Sequence, residues 1–108
     1  MVVEQITAIE LKDKIREQDR KLVLLDVREP FEYAIARIEN SVLIPLDQLQ
    51  TRMNELDVQQ EIIVICHHGI RSQQASNYLL YKGFTKVLNL AGGIDAWACE
   101  CDPEVPRY

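Results

Sequence analysis

Short apolar runs without polar–apolar alternation, each parted from the next by a longer stretch with helical spacing, restrict the folds open to this chain. Residues 22–27 (Leu-Val-Leu-Leu-Asp-Val), 42–44, 61–65 and 86–90 are such runs, and residues 2–6 form a shorter one. A strand covered on one face alternates, whereas a strand covered on both need not. The segments between the runs read as helices. Thr7 with Glu10 is a capping box that opens a helix to about Glu17. Glu29-Pro30 starts a short helix, with proline where its missing N–H matters little. Leu46, Leu49, Met53 and Leu56 mark an amphipathic helix, and residues 72–82 a further one that ends near Gly83. Gly92-Gly93 turns into a short segment around Trp97, which reads as a core anchor. Strands separated by crossover-length helical segments predict an α/β fold, with a mostly parallel five-stranded sheet and helices on both faces.

The 108 residues suffice for one core, so residues 1–108 are expected to form a single domain. A formal charge of −5 with no basic run argues against nucleic acid as a partner. The apolar runs are far too short for a membrane span, and the start lacks a charged region followed by an apolar one. A cytoplasmic location is the expectation. Three cysteines without a Cys-x-x-Cys pair favour neither a disulfide framework nor a structural metal site.

The chemistry concentrates in Cys66-His67-His68-Gly69-Ile70-Arg71-Ser72. A strand delivers the cysteine into a short turn whose far end opens a helix. Backbone N–H groups in such a turn, with the positive helix end behind them, form an anion cradle. A thiol at its centre should ionise readily, and the thiolate is the nucleophile. Gly69 suits a left-handed backbone position or a close approach to a ligand. The fork of Arg71 suits an oxyanion, and His67 and His68 can add charge near the sulfur. Ligands in parallel sheets lie off the carboxyl ends of the strands, where Asp26 and Arg28 also fall. The cradle is compatible with sulfur or with phosphate.

The chain resembles the single-domain rhodaneses, a family of sulfurtransferases. Residues 25–29 with Glu32-Tyr33 match the family's first signature, residues 38–45 its second segment, residues 66–72 its active-site loop, and Gly92-Gly93-Ile94 with Trp97 its last. The segments follow in the family's order over nearly the whole chain. The ending Val105-Pro106-Arg107-Tyr108 is similar to rhodanese modules fused to adenylating enzymes that serve sulfur carriers. Two departures stand out. Ala36-Arg37 replaces the usual Gly-His, and His67-His68 replaces a common Arg-Ser pair.

The resemblance implies a sulfurtransferase of the thiosulfate:cyanide type. Cys66 would take a sulfane sulfur from thiosulfate or a persulfide donor and pass it on from a Cys66 persulfide. The acceptor would be a thiol, cyanide or a sulfur-carrier protein. The residues implied in substrate binding are His67, His68, Gly69, Ile70, Arg71 and Ser72, with Asp26 and Arg28 pairing either to brace the loop or simply to stabilise the fold. No metal or organic cofactor is implied. Cysteine phosphatases related to rhodaneses use five residues between Cys and Arg; here there are four, a narrower ring that suits one sulfur. Domains of this kind also serve as binding modules, typically with the cysteine replaced. Cys99 and Cys101 read as incidental thiols, with a relay of the Cys66 sulfur as the alternative.

Overall fold

A computed structural model describes residues 2–17 and 22–108. Its strands are β1 (Glu4–Ile6), β2 (Leu22–Asp26), β3 (Val42–Leu43), β4 (Glu61–Ile65) and β5 (Val87–Leu90). They form one sheet in the order β1-β5-β4-β2-β3, with every pairing parallel. The helices are α1 (Ala8–Arg16), α2 (Pro30–Ile35), α3 (Leu49–Arg52), α4 (Ile70–Tyr81) and α5 (Gly93–Glu100). Parallel neighbours require crossovers, and the helices supply them. No helix among the described residues is long and apolar enough to cross a membrane.

The apolar runs lack alternation because both faces of the sheet are covered. On one face Leu24, Ile63, Ile65, Leu88 and Leu90 pack with Ala8 and Leu11 of α1 and with Ile94 and Trp97 of α5. On the other, Leu25, Ile62, Val64 and Val87 pack with Leu49 of α3 and with Ala75 and Leu79 of α4. Trp97 is thus buried in the core, as its position in the sequence suggests.

The capping box at Thr7 forms in full: its hydroxyl accepts from the Glu10 amide, and Glu10 accepts from the Thr7 amide. Two expectations need correction. Leu46 to Leu56 is not one helix but a 3-10 turn (Leu46–Gln48), the single-turn α3, and a second 3-10 turn (Met53–Glu55). The spacings Leu46–Leu49 and Met53–Leu56 are both three residues, which 3-10 geometry also places on one side. In addition α4 begins at Ile70 rather than Ser72, so Arg71 and Ser72 belong to its first turn.

Candidate active site

Period-two geometry decides which way the nucleophile faces. Cys66 follows β4 at the parity of Ile62 and Val64, so it packs on the α3–α4 face beside Val27, Leu49, Ala75 and Leu79. It is buried, and its sulfur has two polar neighbours. The Gly69 amide donates to Sγ at 3.0 Å, and the thiol donates to the Ser72 hydroxyl oxygen at 3.2 Å. Gly69 reaches this position with φ of +104°, a region that a side chain strains. The loop closes on the first turn of α4, whose positive end lies next to the sulfur.

A second helix start holds the other side of the loop. The amides of Ile94 and Asp95, in the first turn of α5, donate to the carbonyls of Cys66 (2.8 Å) and His67 (3.2 Å). Early helix amides have no partner within their own helix, so the loop supplies one. Gly93 permits this approach: a Cβ there would collide with both carbonyls, and its φ is +61°. Asn89 steadies the loop from β5, donating to the Gly69 carbonyl at 3.3 Å and to the side-chain oxygens of Gln5 and Gln73.

Arg71 does not extend freely toward the sulfur. Its two terminal nitrogens clasp the Glu32 carboxylate at 2.6 and 2.8 Å. Glu32, nearly fully buried on α2, also accepts from the Tyr108 hydroxyl (2.8 Å) and the Glu29 amide (3.0 Å). The Arg71 guanidinium is the chief reason why the Glu32 carboxyl is held down to about 2, against the opposing effect of burial. Reciprocally, Glu32 raises the pKa of Arg71.

Asp26 and Arg28 form a fully buried ion pair, with Nε on Oδ1 at 2.8 Å and Nη2 on Oδ2 at 2.6 Å. The remaining donors of Arg28 satisfy the carbonyls of Ala36 (2.6 Å) and Glu32 (3.3 Å) and the Tyr108 hydroxyl (2.8 Å). The pair expected to brace the loop therefore braces α2 instead. It reaches the loop through Glu32 and Tyr108.

The two histidines part company. His67 lies between the rings of Tyr108 (3.9 Å, 9°) and His68 (4.0 Å, 25°). Its Nε2 is buried with no hydrogen-bond partner among the described residues. Burial, then the neighbouring His68 charge, lowers the His67 pKa and favours the neutral ring. His68 lines a cavity of about 430 Å³ with Gln5, Gly69, Gln73 and Asn89. Arg71 lines a different groove, of about 550 Å³, with Val27, Glu29, Leu46, Asp47 and Tyr78. The residues expected to meet one substrate thus divide between the two flanks of α4.

Glu32 and Tyr108 are site members that sequence reasoning did not single out. Each lies inside a segment that carries the family resemblance, Glu32-Tyr33 and residues 105–108, and that is the signal available. Cys99 is exposed in the last turn of α5, and Cys101 packs against the α1–α5 cluster. Neither is brought to Cys66.

Comparison with known proteins adds an independent line. A model of the rhodanese-like domain matches residues 7–100. The chain is 40% identical over 95 residues to the protein YrkF of Bacillus subtilis; the match covers 88% of this chain and 51% of YrkF, so the chain spans about half its length. A sulfurtransferase of Allochromatium vinosum is 34% identical over 97 residues, with 90% of each chain covered. The crystal structure of a rhodanese-related protein from Thermoplasma volcanium matches with a TM-score of 0.84 at 34% identity, over 97% of this chain and 99% of that one.

Proposed function

The chain belongs to the rhodanese-like family, and on that premise we propose that it is a sulfurtransferase that carries sulfane sulfur as a persulfide on Cys66. The observation that carries the reading is the seating of the Cys66 sulfur. A single thiol sits at the start of a twelve-residue helix, with the Gly69 amide donating to it and the Ser72 hydroxyl in hydrogen-bond contact.

When the thiol ionises, the Ser72 hydroxyl can turn and donate, so both neighbours stabilise negative charge on sulfur. The thiolate attacks the outer sulfur of a sulfane donor. The donor's S–S bond breaks, and its electron pair leaves with sulfite or a thiolate. The transferred sulfur remains as the terminal atom of a Cys66 persulfide, within the same ring of donors. A thiophilic acceptor then attacks that terminal sulfur and Cys66 leaves as the thiolate. Thiosulfate is a donor and cyanide an acceptor of this type. A thiol or a sulfur-carrier protein fills the acceptor role under the same chemistry; YrkF is itself named as a sulfur carrier protein.

Arg71 weighs against phosphoryl transfer. A phosphate cradle needs guanidinium donors converging on its oxygens, and two of the five donors of Arg71 are already bound to Glu32. The test is mass spectrometry of the protein after incubation with thiosulfate and, separately, with an alkyl persulfide. The expected result is a gain of one sulfur on Cys66, lost on adding cyanide and absent in Cys66→Ser. Release of phosphate from a phosphoester, with no sulfur on Cys66 from any donor, would reverse the reading.

A further inference from the structure

Among the described residues, Arg71 is the one cationic side chain lining the groove of about 550 Å³. Glu32 cancels its charge at 2.6 and 2.8 Å before any ligand arrives. Glu29 and Asp47 line the same groove, are exposed, and have no cationic partner among the described residues. The histidines do not offset them: His68 faces the other flank of α4, and His67 is stacked under Tyr108. The groove floor is apolar. Its residues Val27, Leu46, Leu49 and Tyr78 pack in the same cluster as Cys66. The Gly69 amide is committed to the Cys66 sulfur.

A dianion approaching a thiolate along a net-negative wall meets repulsion from both. An uncharged or cationic carbon body meets an apolar floor and two carboxylates. Resting on the sulfurtransferase reading above, we propose that the groove selects alkyl persulfides whose carbon body carries no negative charge, at the expense of thiosulfate. Glu29 and Asp47 are the residues that set this preference. The step is Cys66–S⁻ + R–S–SH → Cys66–S–SH + R–S⁻. The outer S–S bond of the donor breaks, a new one forms to Cys66, and the released thiolate takes its proton from water.

The experiment compares three donors at low salt: thiosulfate, cysteamine persulfide and 3-mercaptopropionate persulfide, the last two similar in size and opposite in charge. Quenched-flow mass spectrometry reads the rate at which Cys66 gains a sulfur. The expected order is cysteamine persulfide above 3-mercaptopropionate persulfide by about tenfold, with thiosulfate slowest and the gap narrowing as salt screens the charges. Asp47→Asn, and the double variant with Glu29→Gln, should raise the two anionic rates several-fold and lower the cationic one. Equal rates for the two persulfides, or variants that leave their ratio unchanged, would overturn the charge selection while Cys66 still gains sulfur. No sulfur on Cys66 from any donor would instead overturn the sulfurtransferase reading on which it rests.

Discussion

The Glu32 carboxylate accepts from Arg71, Tyr108 and the Glu29 amide, so one substitution there unties groups that are far apart in sequence. Glu32→Gln removes the negative partner of Arg71 and should lower stability by about 2 kcal/mol near neutral pH. The pH dependence follows from the depressed carboxyl, about 2 when folded against 4.5 ordinarily. Its contribution is complete above about 4.5 and disappears as pH falls toward 2. Urea unfolding should therefore show the gap between wild type and Glu32→Gln shrinking through that window. Tyr108 separates two roles within one side chain. Tyr108→Phe deletes the hydroxyl that links Arg28 to Glu32 and should destabilise by about 1 kcal/mol. Because its ring remains, the titration of His67 should stay where it is. Tyr108→Ala uncovers His67 and should move its pKa up toward 6.5, since burial is the chief cause of its depression; NMR titration of the imidazole reads both variants. The links from Glu32 to Arg71 and Tyr108 have no local sequence pattern. Arg71 and Glu32 are 39 positions apart, and Tyr108 and Glu32 are 76, so only tertiary structure brings them together.

At the scale of elements, two helix starts converge on four loop residues, α4 from behind the sulfur and α5 from the carbonyl side. Gly93→Ala should be severe, because its new methyl would meet the Cys66 and His67 carbonyls rather than a flexible side chain. A loss of about 2 kcal/mol or more is expected, together with faster hydrogen exchange at the Ile94 amide. An unchanged Ile94 amide would show that α5 does not hold the loop. The local elements were the most legible part of the chain, and for local reasons. Thr7 and Glu10 announce α1 because both halves of the capping box lie within one turn. Residues 62–65 announce β4 because an unbroken apolar run suits a strand covered on both faces. Leu46 to Leu56 misled because spacings of three residues do not distinguish an α-helix from successive 3-10 turns. The start of α4 at Ile70 is hard to read because its cap is Gly69, which offers no capping side chain.

At the scale of the whole molecule, two apolar clusters share one central sheet, and neither is complete without the strands that feed the other. Leu11→Ala beneath α1 and Leu79→Ala beneath α4 should each cost about 2–5 kcal/mol. Both variants should still unfold in a single transition by circular dichroism and by tryptophan fluorescence. Separate transitions would mean that the two faces fold independently. The parallel architecture was legible as a whole, because runs apolar on both parities are hard to place except inside a sheet with two covers. What the sequence left open was how the loop residues divide across α4, since His68 and Arg71, three positions apart, line different cavities. The seating of Cys66 at the parity of Ile62 and Val64 bears on how this chain tolerates change in its length. Deleting one residue within β4 would turn the thiol to the α1–α5 side, away from Ser72 and the groove, even if the strand re-paired perfectly. Losing one residue from positions 57–60, ahead of the strand, would leave that side unchanged. Along β4 the chain can exchange one apolar residue for another, but it cannot gain or lose one.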